Sequence, residues 1–355
     1  MEQRERDPPV FVSLGMVILD ELRFPHLETV TDVPGGSGLY ATLGARLFKA
    51  SPWSIDVGCI VATGCDLPDS TIQLLQSWGM TLLLVRDEEK PCTRGLLQYE
   101  DDAFSRNTFS YVTPPLRPSP THLASSSLLY AASFHFLAVP ADLENQVSTL
   151  LRMREEQGIK ERPLIVWEPA PLGCDSVNLE SHFKACAMVD VFSPNRSELR
   201  YLIEGKNQDE VGFSRSTVEA HASRFVEAGI GPNKKGLAVI RSGEHGVLIL
   251  SKKREAEWLP TFYEKGSSKV IDATGAGNAF LGAFAVTLQE TNDPREASLR
   301  GSVASSYALE QFGPPKLTPS SSPLGELWNG SSVLWRLQEL RARISGRGSQ
   351  KPNVE

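Results

Sequence analysis

The segment that most constrains the fold lies at residues 270–284 and has the sequence VIDATGAGNAFLGAF. Its polar start leads into a turn of three small residues, Gly275, Ala276 and Gly277, and an apolar run typical of a buried helix follows. Small residues let a backbone approach a ligand closely, and the free N–H groups at the start of a helix attract anions. The segment therefore predicts a phosphate-binding helix N-terminus, with Asn278 in the first helical turn facing the bound anion.

Composition and charge place the chain among ordinary globular proteins. Its 355 residues are 41% hydrophobic and 22% charged, enough for one large α/β domain with a small appendage or for two domains. A net charge of −7 without a basic stripe argues against a nucleic-acid surface. No stretch approaches the roughly 20 apolar residues of a membrane span, and the N-terminus is too charged for a signal peptide. The five cysteines lack the paired spacing of a zinc site, so we expect reduced thiols and a cytoplasmic protein.

Strand-like and helix-like segments alternate along most of the chain. The strand-like segments are residues 10–19, 54–61, 82–86, 128–138, 164–167 and 189–192. The helix-like segments are residues 39–49, 70–78, 143–157 and 216–228, with further helices from Asn278 onwards and over 296–312. This alternation predicts a mainly parallel sheet with helices on both faces. Residues 237–240 and 246–250 are expected to form a hairpin.

Two polar, alternating segments, residues 22–33 and 92–113, do not fit this layered core. They predict either a few antiparallel strands that stand off the main sheet as a lid or a pair of surface hairpins, and the sequence does not choose between them. A last helix is expected after the serines at 331 and 332, because apolar residues at 333, 337, 340 and 344 share one helical face. The chain from Gly346 onwards is expected to be disordered.

Two local motifs allow both a structural and a functional interpretation. Gly35 and Gly36 precede a helix, and by themselves they favour a tight turn over a surface that contacts substrate. Asn195 and Glu198 follow a strand and have the spacing of a helix capping box. The local sequence favours the cap over a magnesium and phosphate motif, although both can hold at once.

Three other residues narrow the function. Phe280 stands where a dinucleotide fingerprint needs its third glycine, so a nicotinamide-dependent oxidoreductase is disfavoured. Asp20 follows the first predicted strand, where a carboxylate can accept hydrogen bonds from vicinal hydroxyls, although a solvated turn is the simpler interpretation. His135 has no triad or metal-ligand spacing and is expected to be structural.

Taken in order, these motifs resemble the ribokinase-like (PfkB) family of small-molecule kinases. The resemblance is carried by residues 14–20, 35–38, 194–198, 241–246 and 272–278. It implies a three-layer α/β sandwich with a mainly parallel central sheet and a small β lid at residues 22–33 and 92–113. On this resemblance the kinase domain spans residues 1–325, and a C-terminal helix and disordered tail span residues 326–355.

The resemblance also implies transfer of the ATP γ-phosphoryl group, with Mg²⁺, to a hydroxyl of a sugar, nucleoside or similar small metabolite. The expected partners are this substrate and a second copy bound through the lid, with no nucleic acid and no membrane.

Roles for individual residues follow from the same resemblance. The substrate contacts would be Asp20, Gly35, Gly36 and Tyr40, the last in place of the family's usual asparagine. The nucleotide contacts would be Asn195, Arg241, Gly243, Gly246 and Thr274, and the metal ligand would be Glu198. The anion hole would be Gly275, Ala276 and Gly277, with Asn278 at the catalytic position.

One position departs from the family, because a catalytic aspartate is usual where this chain has Asn278. An amide cannot accept a proton near neutral pH, and general-base assistance is typically worth about 10²–10⁴-fold in rate. Phosphoryl transfer depends mainly on positioning and charge neutralisation, so a slow kinase and a catalytically weak pseudokinase in a regulatory role both fit the sequence. Asp272 or Glu168 could supply a replacement carboxylate. A fungal maintenance-of-killer-like branch of the family is similar in this asparagine and in the Trp-Glu-Pro at residues 167–169.

Overall fold

Nine strands form a mainly parallel sheet through the centre of the protein, whose computed structural model describes residues 8–101, 107–206, 212–318 and 325–346. In spatial order the strands are β13 (Arg254–Leu259), β12 (Val247–Ser251), β11 (Leu237–Arg241), β10 (Val191–Phe192), β9 (Leu164–Pro169), β8 (Ser133–Ala138), β1 (Phe11–Ser13), β4 (Val57–Thr63) and β5 (Thr81–Arg86). The strands from β11 to β5 are parallel, and β12 and β13 add antiparallel strands at one edge. The carboxyl ends of the parallel strands meet along one side, where ligands of open α/β sheets bind.

Helices cover both faces of this sheet, as the alternating sequence predicts. One layer consists of α1 (Ser37–Leu47), α2 (Asp69–Ser77), α7 (Ala276–Thr291), α8 (Pro294–Ala308) and α9 (Val333–Ile344). The other layer consists of α3 (Pro140–Glu156), α4 (Leu179–Cys186), α5 (Arg196–Glu204) and α6 (Arg215–Ala228). The predicted α/β fold class is confirmed.

The alternation of side chains along each strand separates two apolar cores. In β9, Ile165 and Trp167 belong to the core on the α3–α6 side, whereas Val166 belongs to the opposite core. In β8, Phe134 and Phe136 belong to the α3–α6 side. The residues at 135 and 168 consequently face α1 and α7, and this orientation directs polar side chains towards the start of α7.

Helices α1 and α7 touch backbone to backbone. A Cβ atom on Gly282 would lie 1.7 Å from the carbonyl oxygen of Ala41, and one on Gly44 would lie 1.9 Å from the carbonyl oxygen of Ala279. Only glycine fits at these two positions without separating the helices. The contact fixes the start of α7 relative to α1.

A second sheet of four strands stands apart from the main sheet and is called the lid below. Its strands in spatial order are β3 (Val30–Gly35), β2 (Ile18–Arg23), β6 (Arg94–Tyr99) and β7 (Asn107–Tyr111). Two antiparallel hairpins, β2–β3 and β6–β7, are joined by parallel pairing of β2 with β6. The sequence left open a lid of strands or a pair of surface hairpins. The structure combines them, because the two hairpins build one sheet. Residues 102–106 of the predicted lid segment lie outside the described residues.

An aromatic cluster attaches the lid to the main body. Phe24 and Tyr99 of the lid and Phe312, which follows α8, have ring centroids 4.9–5.5 Å apart. The side chain of Tyr99 is 2% exposed. In this structure the lid is thus packed against the end of α8.

The single strand predicted at residues 10–19 is wrong. β1 ends at Ser13 in the main sheet, whereas β2 begins at Ile18 in the lid. Asp20, expected after the first strand, lies inside β2. The apolar pattern runs through both strands because both are buried, so it carries no signal for the point at which the chain leaves one sheet for the other.

The C-terminal helix follows the prediction. Ser332 accepts a hydrogen bond from the Trp335 N–H (3.5 Å) and caps α9, and Leu337 and Leu340 are buried in the core. A short antiparallel pair, β14 (Leu317–Thr318) and β15 (Leu327–Trp328), precedes this helix. The tail predicted to be disordered falls, apart from Gly346, outside the described residues. Within the described ranges, no helix has the length and apolar character that a membrane crossing requires.

Replacing Gly282 by alanine should lower the free energy of unfolding by about 1–3 kcal/mol, because the added methyl group would overlap the backbone of α1. Urea unfolding followed by circular dichroism measures this change. Gly212→Ala is the matched control, since its added Cβ has no described atom within 4 Å apart from those of its chain neighbours, and it should change stability by less than about 0.5 kcal/mol. Equal stability of the two variants would contradict the close contact of α1 with α7.

Candidate functional site

The start of α7 is open to an anion. The helix begins at Ala276, two residues before the predicted start, and Gly275 is its N-cap with φ of 77°. Glycine adopts this left-handed conformation with little strain. The N–H groups of Gly277 and Asn278 have no backbone acceptor among the described residues. Together with the helix dipole they favour negative charge at this point.

A cleft of about 660 Å³ opens beside this helix start. Its polar lining includes Arg241, Asn278 and Asn195. The lining also includes the hairpin glycines Gly243 and Gly246, the turn residues Gly275, Ala276 and Gly277, and the apolar residues Val247, Val270, Phe280 and Leu309. Such a combination suits a ligand with one anionic part and one apolar part.

Three adjacent strands place buried polar side chains beneath α7. Oγ of Ser13 lies 2.9 Å from Nδ1 of His135 and accepts a hydrogen bond from the N–H of Gly15. Nε2 of His135 lies 3.4 Å from Oε2 of Glu168. Ser13, His135 and Glu168 are buried, and the most exposed of them, Glu168, is only 6% exposed. They form a continuous polar row, Ser13–His135–Glu168, across β1, β8 and β9.

Asn278 joins this row from the helix above. Its Nδ2 donates a hydrogen bond to Oε2 of Glu168. Because the nitrogen is turned towards the carboxylate, Oδ1 of the same amide is directed away from it. Of the two replacement carboxylates considered from sequence, Glu168 therefore contacts Asn278 directly.

Asp272, the other candidate, is engaged elsewhere. Its Oδ1 accepts hydrogen bonds from the N–H (3.1 Å) and the hydroxyl (2.9 Å) of Thr274. These bonds close the turn that leads into α7. Thr274, predicted from the resemblance to contact nucleotide, uses both donors in this turn.

Arg241 is the cation of the site. Its Nη2 lies 2.8 Å from Oε1 of Glu168 and 3.7 Å from Oε2 of Glu198, and donates to the carbonyl oxygen of Ser193 (2.9 Å). A Cβ atom on Gly277 would lie 2.3 Å from Nη1 of Arg241, so the guanidinium also lies against the start of α7. One guanidinium thus serves two carboxylates.

The pKa values of Glu168 and Glu198 shift in opposite directions, although both carboxyl groups are buried beside Arg241. Burial by itself would raise the pKa of Glu168, but Arg241 and His135 outweigh it and hold that pKa below its ordinary value. Burial raises the pKa of Glu198 to about 7, with Arg241 opposing the shift and the charge of Glu168 adding to it. At neutral pH Glu168 is therefore ionised, whereas Glu198 is divided between its two forms.

Asn195 and Glu198 form the helix cap that the local sequence favours, and they also lie at the site. Oδ1 of Asn195 accepts from the Glu198 N–H (2.8 Å), and Oε2 of Glu198 accepts from the Asn195 N–H (2.7 Å). This reciprocal pair is the predicted capping box of α5. The same two residues reach the site, since Asn195 lines the cleft and Glu198 faces Arg241.

Asp20 lies on the lid side of the site. It is 4% exposed, and its Oδ1 has no hydrogen-bond partner among the described residues. A Cβ atom on Gly35 would lie 2.0 Å from its Oδ2. Burial and the nearby charge of Asp272 raise the pKa of Asp20 to about 7. The interpretation as a solvated turn is therefore wrong, and a buried carboxyl oxygen without a partner marks a candidate binding position.

Tyr40 connects the lid side with the start of α7. A Cβ atom on Gly275 would lie 2.1 Å from Cδ2 of Tyr40, so the ring packs on the turn before α7. Burial and the charges of Asp272 and Asp20 raise the pKa of its hydroxyl. Gly36, four residues before Tyr40, is the N-cap of α1 with φ of 93°. The structure thus brings the predicted substrate residues next to the predicted anion hole.

The sequence interpretation missed the role of Ser13 and His135 in the polar row. Each is a polar residue between apolar neighbours in a strand that is buried on both faces. A buried polar side chain needs a hydrogen-bond partner, so this pattern predicts that a partner exists. The partner itself stands 122 positions away and could not be identified from spacing.

The chain has relatives over nearly its whole length. An uncharacterized protein of Schizosaccharomyces pombe is 33% identical over 342 residues, which cover 93% of this chain and 92% of that protein. The protein MAK32 of Saccharomyces cerevisiae is 29% identical over 340 residues, covering 92% and 90%. A deoxyribokinase of Salmonella typhi is 25% identical over 300 residues, covering 83% and 86%.

Solved structures share the fold. A ribokinase of Giardia lamblia superimposes with a TM-score of 0.65 at 17% identity, over 86% of this chain and 96% of that one. A putative ribokinase II of E. coli, in complex with ATP and Mg²⁺, gives 0.64 at 15% identity, over 94% and 99%. The model of the pfkB family carbohydrate kinases matches residues 17–320. The chain therefore belongs to the pfkB family of carbohydrate kinases, in a branch with MAK32-like fungal proteins.

Proposed function

We propose that this protein is an ATP-dependent phosphotransferase that acts on a hydroxyl group of a sugar, nucleoside or similar small metabolite. The observation that carries the proposal is the meeting of the cleft with the start of α7, where free N–H groups, Arg241 and Asn278 converge. Helix N–H groups and a fixed cation stabilise the charge of a transferring phosphoryl group. Family membership and the deoxyribokinase relative support a sugar-like acceptor.

The nucleotide occupies the cleft in this proposal. Val270, Phe280 and Leu309 provide an apolar surface for the base, and the phosphates extend past the β11–β12 hairpin towards Gly277. Arg241 lies beside this path, and its contacts with Glu168 and Glu198 keep it in place.

The acceptor binds on the lid side, between Asp20 and Asn278. The unpartnered Oδ1 of Asp20 accepts hydrogen bonds from its hydroxyls. Phe109 and Tyr111 of the lid are 47% and 42% exposed, and the Phe109 ring lies near Gly95, next to Asp20. They offer an apolar face against which a sugar or base ring packs.

The transfer step uses positioning more than proton abstraction. Oδ1 of Asn278 accepts a hydrogen bond from the acceptor hydroxyl and aims its oxygen at the γ-phosphorus. A bond forms between the hydroxyl oxygen of the acceptor and the γ-phosphorus, while the bond from the γ-phosphorus to the bridging oxygen breaks. The electron pair of the broken bond leaves with ADP. The hydroxyl proton passes to an oxygen of the transferred phosphoryl group. The N–H groups of Gly277 and Asn278 and the guanidinium of Arg241 stabilise the charge on that group.

The donor set of this site fits a magnesium ion held jointly with phosphates. The described residues contain no cluster of three or more side chains suited to a metal. Mg²⁺ that binds with a nucleotide needs only one or two carboxylates. Glu198, with its pKa raised to about 7 beside the cleft-lining Asn195, is the residue that would hold it. The ion would neutralise phosphate charge during transfer.

A second candidate function rests on Asn278 alone. An amide cannot take a proton from the acceptor, and the same helix start and cleft would serve a protein that binds nucleotide or metabolite in a regulatory role. The two candidates share every binding residue and differ only in turnover.

A homodimer through the lid is part of the proposal. Leu27, Val30 and Val112 on or beside the lid are 60%, 46% and 58% exposed, and burial of such side chains favours association. Sedimentation equilibrium should therefore show a dimer, and Val30→Asp should weaken it more than Val177→Asp, which changes a side chain 86% exposed between β9 and α4. A monomer at all accessible concentrations would contradict the dimer.

The kinase activity is tested by acceptor-dependent ADP release with ATP, Mg²⁺ and a panel of pentoses, hexoses and nucleosides. At least one acceptor should support turnover, and Asn278→Ala should lower kcat roughly 10- to 100-fold because the hydroxyl loses its hydrogen-bond acceptor. Asn233→Ala, an exposed amide before β11, is the control and should leave kcat unchanged. ATP binding without turnover on any acceptor would favour the regulatory candidate, and absence of ATP binding would exclude the kinase and leave only a regulatory protein that binds a metabolite.

Asp20→Asn should stabilise the protein at pH 8. The folded-state pKa of about 7 lies above the ordinary value of 3.8, so the folded protein binds this proton more tightly than the unfolded chain. The contribution of Asp20 therefore favours folding below about pH 4 and is lost as the pH rises to about 7. We expect the variant to gain on the order of 2 kcal/mol over the wild type at pH 8 in urea unfolding, and much less at pH 5.

The same substitution separates stability from function. Once the panel has identified an acceptor substrate, Asp20→Asn should raise the KM for that substrate roughly 10-fold or more, because the charged carboxylate that binds its hydroxyls is lost. The KM for ATP should not change. Asp69→Asn, which alters an exposed carboxylate at the start of α2, should change neither property. A variant of Asp20 that is less stable than the wild type at pH 8 would show that the carboxylate is satisfied.

A further inference from the structure

We infer that Glu168 is the positioning residue of Asn278, holding the amide in the orientation that presents Oδ1 to the acceptor hydroxyl. The inference rests on the proposed function, because it assigns a task within that site. It explains how a chain with asparagine at position 278 still presents a hydrogen-bond acceptor to the reacting hydroxyl. The family usually has a negatively charged aspartate at this position of α7, and here Glu168 of β9 supplies the negative charge.

An asparagine side chain has two ends of opposite hydrogen-bonding character. A half-turn of the amide would direct its NH₂ group to the acceptor hydroxyl, and that group cannot accept a hydrogen bond. Glu168 accepts only, since its pKa is held low by Arg241 and His135, and it binds Nδ2 of Asn278. Hydrogen bonds to an ionised group are about twice as strong as neutral ones, so the carboxylate selects one orientation.

Glu168 is itself held at both oxygens. Oε1 lies 2.8 Å from Nη2 of Arg241, and Oε2 lies 3.4 Å from Nε2 of His135, whose other nitrogen lies 2.9 Å from the Ser13 hydroxyl. Ser13, His135 and Glu168 are deeply buried, so water does not compete for the carboxylate. His135 lies against Oε2 of Glu168 without a hydrogen bond from Nε2, and Ser13 contacts the other ring nitrogen, so these two side chains confine the carboxylate that orients the amide.

Glu168 takes no proton in this scheme, so it is not a catalytic residue. The hydroxyl proton follows the path to the transferred phosphoryl group given above, and the amide keeps both of its hydrogens. The essential requirement is one carboxylate and one amide at positions 168 and 278. Two carboxylates would repel each other, and two amides would lose the charge that selects the orientation.

The orientation is tested first without any acceptor or turnover. Protein labelled with ¹⁵N only at asparagine is compared with Asn278→Ala to assign the Asn278 side-chain amide. One of its two protons should be shifted downfield and protected from exchange with water in the wild type, and both properties should be lost in Glu168→Gln. An amide that exchanges like a free one in the wild type, or is unchanged in Glu168→Gln, would overturn the inference.

The second test is a double-mutant cycle with the acceptor found in the panel. Glu168→Gln and Asn278→Asp should each lower kcat roughly 10- to 100-fold, with the KM for ATP nearly unchanged. The combined variant Glu168→Gln/Asn278→Asp should recover to at least the wild-type kcat, because the amide introduced on β9 can donate to a carboxylate on α7 that now faces the hydroxyl. Losses that simply add in the combined variant would overturn the inference, since a merely structural glutamate gives no such rescue.

A control variant and a folding check accompany both tests, and failure of the inference can be distinguished from failure of the proposed kinase activity. Glu156→Gln, which breaks a surface ion pair with Arg152, is the matched control and should leave both the amide signal and kcat unchanged. Urea unfolding of each variant verifies that it is folded. If no acceptor supports turnover, the proposed kinase activity fails, while the amide spectrum still decides whether Glu168 orients Asn278.

Discussion

One largely buried guanidinium links several elements at the carboxyl edge of this sheet. Arg241, at the end of β11, pairs with Glu168 of β9, lies beside Glu198 of α5, binds the carbonyl after β10 and touches the start of α7. Removing one partner of a buried ion pair typically costs about 3–5 kcal/mol, because the other charge is left unpaired. Arg241 therefore joins these five elements at the site, in addition to the strand pairing of β9, β10 and β11 and the close contact of α1 with α7.

The division of charge around this cation organises the chemistry. Burial raises the pKa of Glu198 to about 7 and the charge of Glu168 adds to the rise, whereas Arg241 and His135 hold the pKa of Glu168 below its ordinary value. Asp20, on the lid side, has its pKa raised to a similar value by burial and by the nearby charge of Asp272. Two acids that titrate near neutrality therefore flank an anion-binding helix start. Such groups reduce stability and persist where a ligand completes their contacts.

Sequence reasoning succeeded where the physics is local. The helix start at residues 275–278, the capping box at Asn195 and Glu198 and the capped C-terminal helix each depend on residues within a few positions of one another. It failed at residues 10–19, where a continuous apolar run hides the passage from the main sheet to the lid. It also assigned no role to His135 in the site, because the apolar neighbours Phe134 and Phe136 indicate that His135 is buried but do not indicate which residues it contacts.

Periodicity, small residues and residue identity are written along the chain, so the layered α/β architecture, the glycine turn before α7 and the amide at position 278 can all be read from the sequence. The partner of that amide emerges only in the folded chain. The contact of Asn278 with Glu168 joins residues 110 positions apart, and the polar row behind it joins Ser13 to His135 across 122. Strand pairing brings Ser13, His135 and Glu168 together, packing of α7 on the sheet adds Asn278, and no local pattern records which of these residues will meet.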